Sequence, residues 1–482
     1  MNMDKVLRFL GFRYATAGLV ALALVALYGL ASLSRPGGTA GAAKAVSAPV
    51  TSTVAVCPAG ESGRLSLLSA SRARSAGRLD VVETQDGTAV VSSQSPGVFW
   101  MKDGLKSDQK SYTVRASGAL APGLEAERTT HWPRGADRGL AGTRCGRPGT
   151  DLWFVGPGPV AAERIELYLT NVDAQPASVD VTALSGEGPL DTTDGRGVPV
   201  EPYTTKVVRI GAPGDGLGDV VASARDLSLR VHATTGRVAA AVRVRIDEGK
   251  GIEWLPQAQQ PATSLVVPGV PGGSGRRQLL VAVPGEEDAR IRVRVVTSKG
   301  SFAPQGQDVL DAPAETVTAL DLDGALSGKA AAVRLESDKP IVAGFAAERG
   351  ADVAYGAAVA PLGADGGVVA ENRFDASLIL TAPGAAATVR VTPVGPSGPG
   401  GAQEVKVPAG GTAEAKLTAP KGAEDGFGVL LAPSSGSGPV YAARVLATGK
   451  GDDALITVLP VEPAWTTMRM PPAADSQRAL IP

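Results

Sequence analysis

The chain has 482 residues, among them 61 Gly and 36 Pro but only 20 aromatic residues and 2 His. Lys and Arg number 47 against 48 Asp and Glu, a net charge of −1, and the sequence has no basic stripe of the kind that binding to a nucleic-acid backbone requires. A hydrophobic content of 44% is enough for packed cores, and Gly and Pro are dispersed at turn-like intervals among Val-rich runs. The composition therefore predicts an all-β globular protein with no nucleic acid partner.

The first element in chain order is an apolar segment near the N-terminus. Residues 15–33 carry no charge, and their number approaches the ~20 that cross a bilayer as a helix. Lys5, Arg8 and Arg13 precede the segment, and such bases are retained on the cytoplasmic side of the membrane. We therefore expect residues 1–13 in the cytoplasm and everything after the segment outside it.

This segment has a second interpretation, a secretion signal, because Gly29, Leu30 and Ala31 offer a small-x-small cleavage site. In the first case a transmembrane anchor over residues 14–34 holds a single-pass protein in the cell membrane. A linker over residues 35–48, rich in Gly, Pro and other small residues, follows it. In the second case the protein is secreted. Both interpretations place the bulk of the chain in an extracytoplasmic compartment.

The two cysteines of the chain, Cys57 and Cys145, both follow this segment. An oxidising compartment lets disulfides persist, so we predict that they are bonded to each other, either within the first unit or to its neighbour. A disulfide that closes the loop between residues 57 and 145 should stabilise the fold by roughly 4 kcal/mol in the chain-entropy model. The alternative is two buried thiols. A catalytic cysteine is disfavoured because the nearest histidine, His131, has no accompanying partner pattern.

The rest of the chain repeats itself with a period near 100 residues. An apolar run that ends in Pro and Gly precedes an alternating strand in LWFVGPG, LLVAVPG and LILTAPG, at residues 152–158, 279–285 and 378–384. A fainter copy, VAVCPAG, lies at residues 54–60, so that Pro58, Pro157, Pro284 and Pro383 are predicted to be equivalent. The units close on Pro256, Pro361 and Pro460. The predicted β units span residues 49–145, 146–261, 262–368 and 369–466, and a flexible tail spans residues 467–482.

A period near 100 residues is too long for a solenoid repeat or a propeller blade and suits one whole β-sandwich per unit. Ile291, Val293 and Val295 alternate with arginines, as expected when one face of a sheet is buried and the other is wet. The second unit contains about seven short strands separated by turn signals. The predicted fold is therefore a tandem array of immunoglobulin-like β-sandwich units, preceded by one N-terminal transmembrane helix.

The sequence offers little material for catalysis. With His131 and His232 as the only histidines, a Ser/His/Asp triad or a multi-histidine metal site has few residues to draw on. A glycosidase needs only two carboxylates, but the acidic cluster at residues 286–288 lies in a turn, where solvation explains it. Asp321 and Asp323 lack the other ligands of a calcium loop. We predict no catalytic residue, no cofactor and no metal.

Tryptophans are the remaining candidates, as platforms for a sugar ring. The chain has Trp100, Trp132, Trp153, Trp254 and Trp465. Trp153 and Trp254 lie in strands that open and close the second unit, so core packing is expected for them. Trp100 and Trp132 lie in first-unit segments without clean alternation, and they are the candidate ligand contacts.

Three motifs, VAVCP at residues 54–58, GTRCGRPGTDLWFVGPG at 142–158 and LTNVDAQPASVDVTAL at 169–184, accompany the N-terminal apolar segment. In this combination the chain resembles an uncharacterised actinobacterial family of exported, membrane-anchored envelope proteins, known as a domain of unknown function. The resemblance covers most of the chain after the linker. It implies export and β structure, and it supplies no catalytic residues.

The leading hypothesis is a non-enzymatic, membrane-anchored extracytoplasmic scaffold or interaction protein of the cell envelope. Its expected partners are the membrane, through the N-terminal helix, and an envelope protein or a cell-wall glycan. Two alternatives stay open: a carboxylate-dependent glycan-processing enzyme, and a carbohydrate-binding module that uses Trp100 or Trp132.

Overall fold

The computed structural model describes residues 14, 17–30, 46–60, 63–71, 75–105, 110–190, 193–212, 217–304 and 308–470. The chain divides into two compact units, one formed by residues 49–468 and the other by residues 1–48 together with 469–482.

The smaller unit contains helix α1, which covers residues 17–30, and most of two short paired strands, β1 (Val46–Pro49) and β36 (Thr467–Met470). Among the residues that the structure describes, no helix is both long and apolar enough to cross a membrane. The predicted cytoplasmic N-terminus, the predicted linker up to residue 45 and the predicted tail after residue 470 lie outside the described residues.

The larger unit begins with a β-sandwich of eight strands. They are β2 (Ser52–Cys57), β3 (Gly63–Ser69), β4 (Gly77–Glu83), β5 (Ala89–Ser93), β6 (Phe99–Leu105), β7 (Tyr112–Gly118), β8 (Leu124–Trp132) and β9 (Gly139–Arg144). Sheet A has the order β2-β7-β4-β5 and sheet B the order β6-β3-β8-β9. Leu65, Leu67, Leu79, Val81 and Val114 are fully buried between the two sheets.

The second sandwich adds one strand to this plan. Its strands are β10 (Asp151–Pro157), β11 (Arg164–Thr170), β12 (Ala177–Ser185), β13 (Gly188–Leu190), β14 (Val198–Val200), β15 (Thr205–Arg209), β16 (Asp226–Thr235), β17 (Ala239–Asp247) and β18 (Lys250–Leu255). Sheet A has the order β10-β16-β12-β13, with β14 also beside β12, and sheet B the order β15-β11-β17-β18. Short 3-10 helices cover Thr193–Gly195 and Asp219–Ser223.

The third sandwich joins its two sheets through one long strand. Its elements are β19 (Ala262–Val270), β20 (Arg277–Ala282), β21 (Ala289–Thr297), β22 (Gly300–Phe302), β23 (Val309–Ala312), β24 (Val317–Asp321), helix α2 (Asp323–Leu326), β25 (Ala331–Arg349) and β26 (Asp352–Ala357). The first half of β25 pairs with β19 and β21, and its second half pairs with β20 and β26. The predicted alternation is confirmed in β21, where Ile291, Val293 and Val295 are buried and the arginines between them are exposed.

The fourth sandwich repeats the second strand for strand. Its elements are β27 (Gly367–Asn372), β28 (Asp375–Ala382), β29 (Ala387–Gly395), β30 (Gly398–Pro399), β31 (Gln403–Val407), β32 (Gly411–Lys416), β33 (Phe427–Pro433), β34 (Tyr441–Thr448), the 3-10 helix Gly451–Asp453 and β35 (Leu455–Val461). Sheet A has the order β27-β33-β29-β30, with β31 beside β29, and sheet B the order β32-β28-β34-β35. The predicted first unit, residues 49–145, therefore has the same sandwich fold as the other three units.

The strand order corrects the predicted immunoglobulin-like topology. An immunoglobulin constant domain holds its first two strands in the same sheet. In the first, second and fourth sandwiches the first strand lies in sheet A, beside the strand that corresponds to β16, whereas the second strand lies in sheet B. In the third sandwich β19 pairs with the first half of β25 and β20 pairs with its second half. The number of strands and the turns between them predicted a sandwich, but neither feature specifies which strands share a sheet.

The pairing also corrects the predicted alignment of the repeats. The run LWFVGPG forms β10, the first strand of its sandwich, whereas LLVAVPG and LILTAPG form β20 and β28, the second strands of theirs. Pro58 therefore follows a first strand and Pro157 ends one, while Pro284 and Pro383 follow second strands. The true counterpart of β20 in the second sandwich is β11.

The four sandwiches pack head to tail. Strand β10 contacts β20 and β25 of the third sandwich, β19 contacts β28 and β34 of the fourth, and β27 contacts β3 and β8 of the first. On the remaining side, Val56 of β2 packs against Val172 and Ala239 of the second sandwich. Each first strand thus lies against the strands that contain or adjoin the second strand of the next sandwich, and the fourth interface closes the array into a ring.

Candidate functional site

The final strands β9, β18, β26 and β35 meet where the four sandwiches converge. Each is an edge strand of its sheet, so its outward N–H groups need acceptors when the edge is buried. Oδ2 of Asp352 accepts hydrogen bonds from the N–H of Leu140 at 3.2 Å and from the N–H of Ile456 at 2.8 Å. One carboxylate of the third sandwich therefore binds edge strands of the first and fourth.

Two further buried carboxylates have the same role. Oε1 of Glu253 accepts from the N–H of Gly142 at 2.8 Å and of Trp254 at 2.9 Å. Oε1 of Glu127 accepts from the N–H of Ala370 at 2.7 Å, across the interface between the first and fourth sandwiches. Burial raises the pKa of the Glu253 and Glu127 carboxyls. These carboxylates bind backbone, so their function is to hold the ring together.

A cavity of about 250 Å³ lies where the four final strands end, and we call it the axial cavity. All four sandwiches contribute to its wall. Contributors include Pro148 after β9, Pro256 after β18, Val359 after β26, and Pro460 and Pro463 at the end of β35. Two of the three closing prolines that marked the repeats in the sequence, Pro256 and Pro460, therefore line the same cavity.

A three-membered ion cluster lies in the wall of the axial cavity. Nε of Arg144 donates to Oε1 of Glu125, and its Nη1 lies 2.7 Å from Oε2 of Glu462. Burial raises the pKa of the Glu125 carboxyl to about 7, against the lowering effect of Arg144. The cluster ties the start of β8 and the end of β9 to the segment that follows β35.

An arginine stacked on a tryptophan forms another part of the wall. The guanidinium carbon of Arg147 lies 4.1 Å from the centroid of the Trp465 ring. Trp465 is 53% exposed, and Arg147 is half-buried. Burial lowers the pKa of Arg147, the charge of Glu125 opposes this effect, the charge of Arg144 adds to it, and Glu462 opposes it. An arginine whose flat face stacks on an aromatic ring keeps the donors at its edge, whose geometry matches a carboxylate.

The predicted disulfide between Cys57 and Cys145 is confirmed. It joins the end of β2 in sheet A to the residue that follows β9 in sheet B, so it links the first sandwich to its own end. Cys145 lines the axial cavity, and Arg147 lies two residues beyond it. The disulfide therefore also fixes the chain from which the cavity is built.

The two predicted ligand contacts, Trp100 and Trp132, lie apart. Both are half-buried in sheet B of the first sandwich, and Trp100 packs against its core. Leu67 of β3 pairs with Trp100 on one side and with Ala126 of β8 on the other, so these residues lie at the same level of the sheet. Trp132 lies six residues farther along β8, which places it roughly 20 Å from that level at the usual rise of a strand. The structure does not bring them together, and neither lines the axial cavity.

Trp153 and Trp254 are both buried, each 5% exposed, as core packing predicts, but they lie between sandwiches. Trp153 belongs to the cluster between the second and third sandwiches, and Trp254 to the cluster between the first and second. Of the histidines, His131 packs on Phe374 with ring centroids 4.8 Å apart, and His232 is a half-buried residue of β16.

Sequence reasoning missed Arg147 and did not select Trp465. Trp465 follows the last strand of the fourth sandwich, and Arg147 follows the last strand of the first. Only ring closure brings these segments together, and the repeat pattern contains no signal for closure. The one available signal was the resemblance of the segments that close the units, each with a proline after an apolar run.

Comparisons with known proteins give a family and no activity. The model of a family of unknown function (DUF5719) matches residues 102–418, from β6 of the first sandwich to the end of β32 in the fourth. No curated protein matches the chain. Among solved structures, the crystal structure of a tetra-tandem repeat in the extending region of a large adhesion protein aligns at 13% identity, covering 85% of this chain and 98% of that chain with a TM-score of 0.10.

Proposed function

The chain belongs to the family of unknown function DUF5719, and from that premise we propose that it is a non-enzymatic scaffold or interaction protein of the cell envelope. The observation that carries the proposal is the closed ring. Buried apolar interfaces and backbone-binding carboxylates fix the four sandwiches relative to one another. Such a ring presents loops from all four units in a constant arrangement, which suits the binding of partners.

We further propose an extracytoplasmic location, with residues 15–33 as the tether. The large apolar side chains of α1 are exposed, among them Leu19 at 70%, Val25 at 70% and Tyr28 at 72%. Exposed apolar surface of this kind is typical of a segment that contacts lipid or another protein. The disulfide between Cys57 and Cys145 supports an oxidising compartment.

Site-specific photocrosslinking in intact cells tests the scaffold role. Val160 and Phe302, exposed apolar residues of the second and third sandwiches, would each be replaced by benzoyl-phenylalanine, with the buried Phe345 as control. We expect discrete adducts with an envelope protein or a wall glycan from the exposed positions and none from Phe345. The absence of adducts from every exposed position would contradict the proposal.

A glycan-processing enzyme is the second candidate, and Glu125 is the observation that favours it. A carboxyl with a pKa of about 7, close to a second carboxyl in a cavity, is suited to general acid catalysis. Against it, Arg144 binds both Glu125 and Glu462, as expected for a structural bridge. The test is whether the protein releases reducing ends from purified wall glycan. Release that Glu125→Gln abolishes would replace the scaffold proposal with the enzyme, and the absence of release would support the scaffold.

A further inference from the structure

The wall of the axial cavity contains a cation, Arg147, for which the described residues supply no carboxylate at ion-pair distance. Arg144 binds both nearby carboxylates, those of Glu125 and Glu462. Within the part of the chain that the structure describes, no carboxylate forms an ion pair with Arg147. A charge that is partly removed from water is costly unless it is paired. Arg147 is therefore placed to pair with an anion from outside the chain.

A second arginine–tryptophan stack in the same chain shows what is missing. The guanidinium of Arg230 lies 5.4 Å from the Trp153 ring centroid, and Asp151 binds it with two hydrogen bonds, of 2.9 Å and 3.1 Å. Arginine suits this arrangement because its flat face stacks on the ring while its edge grips both oxygens of a carboxylate. In the stack of Arg147 on Trp465, Glu125 and Glu462 act on the guanidinium only through their charge, and no carboxylate of the described residues is hydrogen-bonded to it.

The main chain around Arg147 is held in place, as a preformed site requires. Cys145 is fixed by its disulfide, the carbonyl of Gly146 accepts from the N–H of Val56 at 2.8 Å, and the N–H of Gly149 donates to the carbonyl of Val238 at 2.9 Å. These contacts flank Arg147 on both sides. The guanidinium is thus presented from an ordered segment.

We propose that the axial cavity binds a small organic carboxylate, which pairs with Arg147 as Asp151 pairs with Arg230. The body of the ligand lies in the cavity beside Trp465, against walls that include Leu152 and Val359. A volume of about 250 Å³ is below the roughly 300–1,000 Å³ of sites for drug-sized ligands, so the ligand is the size of a monosaccharide or an amino acid. Two sources carry this chemistry: an acidic sugar of a glycan and the terminal carboxylate of a peptide.

The inference deepens the proposed interaction function by naming a ligand class, and its test uses the purified full-length chain. The indole N–H signal of Trp465, assigned by its loss in Trp465→Phe, would be followed by NMR during four titrations. The probes are glucuronate, its neutral analogue glucose, N-acetylalanine and its neutral analogue N-acetylalaninamide. We expect one acid to shift the signal and both neutral analogues to leave it unchanged. The acid that binds identifies the source of the ligand.

Three variants test the role of Arg147. Arg147→Gln should weaken binding of the acid roughly tenfold or more. Arg147→Lys should weaken it less, because lysine keeps the positive charge but lacks the planar guanidinium that binds both carboxylate oxygens. Arg230→Gln removes the other stacked arginine and should leave the affinity unchanged. Melting temperatures of the variants show whether the fold is retained.

Three results would overturn the inference: equal binding of acid and neutral analogue, equal affinity in folded Arg147→Gln and Arg230→Gln, or no shift with either acid. These results are separate from those for the scaffold role. If crosslinking in cells finds partners but the purified chain binds no carboxylate, the scaffold proposal is retained and the ligand site is rejected. If the chain binds a carboxylate but crosslinking finds no partner, the ligand site is retained and the scaffold proposal is rejected.

Discussion

At the scale of single residues, the ring depends on buried carboxylates that bind backbone N–H groups. Asp352 is 3% exposed, and the two N–H groups that it accepts belong to two other sandwiches. Each buried N–H left without an acceptor would cost about 1–3 kcal/mol. Asparagine retains one side-chain carbonyl oxygen in the same position, so Asp352→Asn removes the charge and keeps these hydrogen bonds.

We expect Asp352→Asn to reduce the dependence of stability on pH. Burial raises the pKa of Asp352 to about 7 from an ordinary 3.8, so unfolding releases a proton at intermediate pH. The stabilisation is complete below about pH 4 and is lost as the pH rises through about 7, a change on the order of 4 kcal/mol. The melting temperature at pH 5 and pH 8 measures it. Asp311→Asn, at an 85% exposed side chain, should behave as the unsubstituted chain, and equal differences in both variants would contradict the assignment.

At the scale of elements, the disulfide stabilises the first sandwich by joining its two sheets. Replacing both Cys57 and Cys145 by alanine should cost about 4 kcal/mol, because the bond closes a separation of 88 residues in the unfolded chain. Thermal unfolding of the double variant measures the loss. The reduced form of the unsubstituted chain should melt at the same temperature as the variant, and an unchanged melting temperature in both would be evidence against the entropic account.

Strand β25 runs through both sheets of the third sandwich, where the other three sandwiches have a turn between two strands. Glu336, Asp338 and Pro340, at the crossing, are exposed. Inserting Asn-Gly after Asp338 should therefore cost less than about 1 kcal/mol. The same insertion after Val293 in β21 interrupts a paired strand and should unfold the sandwich. Melting temperatures compare the two, and equal losses would show that the continuity of β25 is essential.

The elements also show where sequence reasoning reached its limit. Alternation identified β21 as a strand with one wet face, and the spacing of apolar runs predicted sandwiches. Strands β10 and β20 were aligned wrongly because each is buried on two faces, one toward its own sandwich and one toward a neighbour. Both therefore appear as continuous apolar runs, and a run of this kind does not distinguish a first strand from a second.

At the scale of the whole molecule, ring closure creates sites that no single repeat contains. Leu68 and Phe99 of the first sandwich pack against Val368 and Ala370 of the fourth, and these residues are apolar in the manner of any sandwich core. Their sequence gives no sign that the partner lies at the other end of the chain. The axial cavity could not be predicted for the same reason, because its walls come from four segments that are each ordinary strand ends.

Closure predicts that residues of the first and last sandwiches are energetically coupled. Nη1 of Arg444 lies 3.5 Å from Oε2 of Glu127, and both side chains are almost fully buried, at 0% and 2% exposure. Glu127→Gln or Arg444→Met alone leaves a buried charge without its partner, a loss of about 3–5 kcal/mol. The loss in the free energy of unfolding of the double variant should be smaller, by at least about 1 kcal/mol, than the sum of the losses in the two single variants.

Urea unfolding of the unsubstituted chain, the two single variants and the double variant measures this coupling. Arg230→Met provides the control, because Arg230 pairs with Asp151 in the second sandwich, so its effect should add to that of Glu127→Gln. In an open string of sandwiches Glu127 and Arg444 would lie in units that do not touch, and their effects would also add. Additivity of Glu127→Gln and Arg444→Met would therefore exclude the closed ring, and with it the axial cavity and its ligand.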